Sequence, residues 1–122
     1  MNITDCYPVF YTNDIDVGIK SFREDFGFEV KHRLQIKFLD YVIMENEKNR
    51  RIDFVCSHFP ADHFKEGYFG MRVNVDDFDA GLSCFEEKGY TLFGEPHEVE
   101  TAITGLLIKE GGAYVILFYH KK

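Results

Sequence analysis

The stretch Asn13-Asp14-Ile15-Asp16-Val17-Gly18-Ile19 has a second copy further along the chain, Asp76-Asp77-Phe78-Asp79-Ala80-Gly81-Leu82. The two run in step at a constant offset: Asp14 matches Asp77, Asp16 matches Asp79, and Gly18 matches Gly81. Phe22 then matches Phe85 and Glu24 matches Glu87. After a one-residue slip, Gly27-Phe28 matches Gly89-Tyr90. Self-similarity at a fixed period marks a duplicated structural unit, and every other part of the chain is read around it.

Each copy reads as an amphipathic helix. Val17, Ile19, Phe22 and Phe26 in the first, and Phe78, Leu82 and Phe85 in the second, recur near the helical period. Asn13 or Asp14, and Asp76 or Asp77, are placed to cap the two starts, and Gly27 and Gly89 to end the helices in the left-handed conformation. Strand signals surround both. Cys6 to Tyr11 precedes the first helix and Tyr68 to Val75 the second. Phe28–Leu34, Phe38–Glu45 and Arg51–Ser57 follow the first, and Tyr90–Phe93 (extendable to Val99), Ala102–Lys109 and Ala113–Tyr119 follow the second. Asn46-Glu47-Lys48-Asn49 and Glu110-Gly111-Gly112 read as hairpin turns.

The spacing therefore predicts an α+β fold of two tandem βαβββ modules. The whole chain, 1–122, reads as a single domain, with module one at about 5–57, a linker over 58–67 and module two at about 68–120. Neither module closes a core alone, so the two curved sheets are expected side by side around a barrel-like cup. Strand alternation assigns the faces. Met71, Val73 and Val75 turn to the helix, with Gly70, Arg72 and Asn74 toward the cup. Pro8 and Phe10 turn to the helix, with Tyr7, Val9 and Tyr11 toward the cup.

Composition bounds the function. The chain has 122 residues, 45% hydrophobic and 29% charged, which suits one globular domain. Its aromatic content is 16%, with 13 Phe and 7 Tyr, enough to fill a core and line a ligand cavity. Fourteen Lys and Arg against 21 Asp and Glu give a net charge of −7, which argues against nucleic acid as a partner. The one basic cluster, Lys48, Arg50 and Arg51, is assigned to the hairpin turn. No apolar run approaches the ~20 residues of a membrane helix. The start, Met1-Asn2-Ile3-Thr4-Asp5, is too polar for a signal peptide, and three scattered cysteines suit a reducing compartment. A cytoplasmic location is expected.

Strand, Asp-initiated helix, Phe and Gly-Phe or Gly-Tyr before a second strand, all occurring twice from about Tyr7 to Tyr119, resembles the glyoxalase/bleomycin-resistance/dioxygenase (vicinal oxygen chelate) superfamily. Its glyoxalases, extradiol dioxygenases and fosfomycin-resistance proteins hold a divalent metal in the cup on His, Glu or Gln from the first and last strands of the modules. The metal chelates neighbouring substrate oxygens and stabilises the negative charge that develops there. Carried over position by position, that pattern falls on Tyr7, Gly70, Ile116 and a position near Asp53. Of these Asp53 alone is a ligand type, so the resemblance implies the fold without a metal or other cofactor. Metal-free relatives, the bleomycin-resistance proteins, sequester a bulky cationic drug at a dimer interface. Pro8, the vacant ligand positions, the acidity and the aromatic cup resemble them and imply a homodimer.

The expected function is metal-independent binding or sequestration of a small molecule in the cup, as in resistance to a drug or toxic metabolite. The candidate lining residues are Tyr7, Tyr11, Asp53, Arg72, Asn74, Tyr114 and Ile116. The alternative is a metal-dependent lyase, isomerase or dioxygenase with unconventional ligands including Asp53, so whether the chain is an enzyme stays open. A third reading, a structural or regulatory dimer module, predicts a cup filled with side chains. Arg72 is read equally as a ligand clamp or as an internal partner of Asp53. Cys56, His58 and His63 lack a fourth zinc ligand. His32 and His97 read as surface histidines, His120 as tail, and Cys84 as core.

Overall fold

The protein's structure, a computed structural model, describes residues 1–12, 14–57, 69–109 and 113–121. Asn13, the linker with His58 and His63, Tyr68 and the turn at 110–112 lie outside these. In chain order the elements are β1 (Ile3–Tyr11), α1 (Ile15–Phe26), β2 (Glu29–Ile36), β3 (Leu39–Glu45), β4 (Arg51–Ser57), β5 (Phe69–Val75), α2 (Phe78–Glu87), β6 (Tyr90–Leu92), β7 (His97–Val99), β8 (Ala102–Lys109) and β9 (Ala113–His120).

Both helices start where the repeat places them. The Asp14 carboxylate accepts from the backbone N–H groups of Asp16 and Val17, at 3.1 and 3.2 Å. Asp77 accepts from Ala80 N–H at 3.1 Å. Such caps are worth about 1 kcal/mol each. Asp76 caps neither helix. It accepts from the backbone and side-chain N–H groups of Asn2 and so ties down the start of the chain. Gly27 ends α1 at φ 74°, as expected. The second helix stops one position earlier, with Lys88 as its C-cap at φ −85° and the left-handed residue, Gly89, beyond it. The run from Tyr90 to Val99 divides into β6 and β7. Gly94 adopts φ 69° there, and Pro96 has no N–H for a ladder. His97 accordingly begins β7.

The strands form one sheet in the order β2-β3-β4-β1-β5-β9-β8-β6, with β7 also on β8. Each half repeats one pattern, since β1 runs parallel to β4 and β5 runs parallel to β9. The seam between halves is the antiparallel β1–β5 ladder, which sets Tyr7 opposite Arg72 and Val9 opposite Gly70. Faces follow the expected alternation. Val73 and Val75 pack beneath α2 with Leu107, Val115 and Leu117. Val42, Met44 and Phe54 pack beneath α1.

The concave face is filled over most of its length. Val9, Ile36, Leu39, Tyr41, Val55, Leu106, Tyr114, Ile116 and Phe118 form one buried cluster there. The ends of the sheet, β2 and the β6–β7 region, meet through side chains: Phe38 packs edge-on to Phe93 at 5.1 Å, and His32 pairs with Glu100.

The two matched helix glycines differ in their surroundings. A Cβ on Gly81 would sit 3.1 Å from Leu117 and 3.3 Å from Val75, so α2 lies close on the sheet. A Cβ on Gly18 would meet nothing nearer than 3.9 Å. Glycine inside a helix costs about 1 kcal/mol relative to alanine. Gly18→Ala is therefore expected to raise the unfolding free energy by about that amount, and Gly81→Ala to gain none of it, as read from urea unfolding curves.

Candidate functional site

Polar side chains gather at one end of the concave face. Asp53 on β4 is fully buried, and a carboxylate so placed must be neutralised. Arg51, two residues earlier on the same face, does this with two parallel bonds: Nε to Oδ1 at 2.7 Å and Nη2 to Oδ2 at 2.9 Å. The Tyr41 hydroxyl, from β3, donates to the same carboxylate. Burial, and then the Asp53 charge, push the Tyr41 hydroxyl well above the usual tyrosine range, so it stays a donor. The Arg51 guanidinium lies 3.7 Å over the ring of Tyr7, whose hydroxyl donates to Asp5. That hydrogen bond, with some desolvation, raises the Tyr7 hydroxyl too.

Arg72 on β5 is only 6% exposed, yet no carboxylate pairs with it among the described residues. Its Nε donates to Asn74 Oδ1 at 3.1 Å, and its Nη2 faces His120 Nε2 at 3.4 Å. The guanidinium stacks 3.7 Å from the centre of the Phe118 ring and 5.8 Å from that of Tyr41. It forms one wall of a cleft of about 80 Å³ that includes Leu34, Ile43, Ala102, Glu100 and His120. At the rim, His32 Nε2 lies 3.0 Å from a Glu100 carboxylate oxygen.

The seven expected lining residues thus take different places. Arg72 lines the cleft and Asn74 orients it. Asp53 is buried in its pair with Arg51, and Tyr7 lies beneath Arg51. Tyr114 and Ile116 belong to the packed interior, with Tyr11 against it. The internal pairing considered for Arg72 goes instead to Arg51. That residue, counted with Lys48 and Arg50 in the basic cluster of the turn and also as the start of the strand Arg51–Ser57, is the first residue of β4. His120 is the last residue of β9 and borders the cleft, rather than being tail. Both were marked by period-two alternation, Arg51 with Asp53 and His120 with Phe118.

The metal pattern of the superfamily does not fit this donor set. Both Asp53 oxygens are taken by Arg51 and one also by Tyr41. At position 70 a Cβ would fall 2.1 Å from a carbon of the Tyr114 ring, so that ring fills the space a ligating side chain would need. Burial raises the Tyr114 hydroxyl, which donates to the Val9 carbonyl at 3.2 Å. Among the described residues, no three of His, Cys, Asp and Glu come together.

Removing one partner of a buried ion pair leaves the other charge stranded, at a cost of about 3–5 kcal/mol when the site is closed. Arg51 is one-fifth exposed, so Arg51→Met is expected to cost about 3 kcal/mol, the lower end of that range. The double variant Arg51→Met/Asp53→Leu should recover most of the loss. Chemical denaturation of the three proteins checks both.

No family model matches the sequence, and no curated protein matches it. Solved structures do. Methylmalonyl-CoA epimerase from Streptomyces coelicolor, in complex with 2-nitronate-propionyl-CoA, is 15% identical with a TM-score of 0.71, covering 99% of this chain and 100% of that one. The epimerase from Mycobacterium tuberculosis is 15% identical with a TM-score of 0.70, covering 98% and 90%. A hypothetical protein from Bacillus halodurans C-125 is 12% identical with a TM-score of 0.66, covering 98% and 97%. At such identities the likeness speaks to architecture, and the chain has the vicinal oxygen chelate fold of the methylmalonyl-CoA epimerases.

Proposed function

We propose that this chain is a metal-independent small-molecule-binding protein whose site is the polar cleft at one end of the cup. One observation carries the reading: Arg72 is a nearly buried cation, positioned by Asn74 and stacked on Phe118, with no carboxylate partner among the described residues. A guanidinium held in this way at an open cleft is a preformed anchor. Engagement of Asp53 by Arg51 and Tyr41 supports binding over metal-dependent catalysis, since the carboxylate has no free oxygen to offer. Epimerase structures of like fold include complexes with 2-nitronate-propionyl-CoA and with methylmalonyl-CoA, which supports including acyl compounds among the ligands tried. A cleft of about 80 Å³ holds the acyl end of such a molecule and not its nucleotide.

A homodimer and a cytoplasmic location belong to the same reading. Phe10, Val17 and Phe26 are 54%, 59% and 61% exposed. Phe10 borders an apolar hollow of about 350 Å³ between α1 and the outer side of β1 and β4. Among the described residues no cysteine is in a disulfide, and no helix is long and apolar enough to cross a membrane.

A compound screen by thermal shift, run with and without chelator, tests the binding reading. A ligand at a hundredfold excess over its Kd adds about 2.7 kcal/mol, a readily measured rise in Tm. The expected result is at least one ligand whose shift is unchanged by chelator and lost in Arg72→Gln. Stoichiometric metal in the purified protein, with binding that disappears on chelation, would reverse it. Sedimentation velocity tests the dimer: Phe10→Glu should shift dimer toward monomer, and a wild-type chain monomeric at every concentration refutes that part.

A further inference from the structure

Resting on the placement of the site in the Arg72 cleft, we propose that its ligand is a short-chain monocarboxylic acid. Its carboxylate would pair with the Arg72 guanidinium and its apolar body would lie against Leu34, Ile43 and Ala102. Charge is the first ground. Arg23, Arg33 and Arg51 each have a carboxylate partner, on Glu29, Asp40 and Asp53 respectively. Arg72, more buried than any of these, has only neutral contacts: Asn74, the His120 ring nitrogen at 3.4 Å, and two aromatic faces. No fully buried side-chain nitrogen lacks a partner among the described residues, so Arg72 Nη1, which has none, is not sealed from solvent, and Arg72 lines the open cleft. A guanidinium fork matches a planar carboxylate with two bonds of about 2.8 Å, shorter and stronger than the contact to His120. His120 is exposed at the end of its strand and is free to give way.

Shape and rim narrow the class. A volume of about 80 Å³ has room for roughly five or six water-sized groups. Beyond the guanidinium, Leu34, Ile43, Val99, Ala102 and Phe118 give a short hydrocarbon body its contact, while His32, Thr101 and His120 lie with Glu100 among the polar lining and supply no second permanent cation for a phosphate. The Glu100 carboxylate stands at the rim, where it opposes a second negative group on the ligand. Dicarboxylates and phosphates are thereby disfavoured relative to a single carboxylate.

Isothermal titration of the full chain with butyrate, butyramide, butylamine, succinate and inorganic phosphate tests this. Butyrate is expected to bind at least tenfold more tightly than each of the other four. Octanoate should bind no better than butyrate, because the cleft is already full. Arg72→Lys, which keeps the charge and loses the fork, should weaken butyrate at least tenfold while circular dichroism shows the fold retained. Butyramide or phosphate binding as well as butyrate overturns the proposal, and this comparison needs no variant. Should the compound screen yield a chelator-insensitive ligand that butyrate does not displace, the carboxylate class fails while the binding function stands. Absence of any ligand in that screen removes both.

Discussion

The buried pair between Asp53 and Arg51 decides what the rest of the concave face is able to do. Taking an isolated carboxylate out of water is costly enough that Asp53 must be matched by a cation. Two arginines lie within its field, since Arg51 and Arg72 both act electrostatically on the Tyr41 hydroxyl that touches it. Arg51 wins because it sits two residues away on the same strand face, where a bidentate approach needs no distortion. Arg72 is left across the seam, paired in the ladder with Tyr7 and turned toward Phe118 and His120. One cation is thus spent within the protein, and the other faces a cleft.

Filling of the cup follows from a second constraint. Val9 faces Gly70 across the seam, and Gly70 faces Tyr114 across the β5–β9 ladder. The absence of a side chain at 70 lets the Tyr114 ring lie over the backbone, where its hydroxyl reaches the Val9 carbonyl on the far side of the seam. A ring so placed joins the two halves and fills the space beside position 70. The reading of the cup as a chamber filled with side chains is right for its middle and fails only at the polar end, where the cleft remains.

Most of the architecture was legible in the sequence because the fold is a repeat. Asp14 and Asp77 announced the helix starts, and β4 and β8 fell on the residues that alternation indicated. Boundaries were less legible where local chemistry is ambiguous: Gly89 stands one residue past the α2 cap, and the strand read as Tyr90–Phe93 does not extend to Val99, because Gly94 and Pro96 separate β6 from β7. The site was legible in part. Arg72 and Asn74 were visible from period-two alternation on β5. The choice of partner for Asp53 was not, because Arg51 looked like one member of a basic turn with Lys48 and Arg50. Only the pleat, which returns residue 51 to the face of residue 53, separates it from them. His32 with Glu100 had no sequence signal, since 68 positions separate them and the sheet must curl before they meet.

That curl also explains why the cleft lies where it does. The sheet has two free ends, and among the described residues no ladder joins β2 to β6 or β7. Side chains alone close the gap, and they do so unequally. At one point Phe38 packs against Phe93, an apolar contact that excludes water. At the other, His32 meets Glu100, both side chains about half exposed, an ion pair of the kind worth at most about 1 kcal/mol in water. Glu100 is held there at φ 56°, a left-handed conformation unfavourable for a residue with a side chain, in the two-residue turn between Val99 and Ala102. A strained backbone carrying a weak, solvated closure is a poor way to complete a core and an effective way to leave one end of it accessible. Arg72 lies directly within that end, so the least firmly closed part of the barrel is also the part with an unneutralised charge.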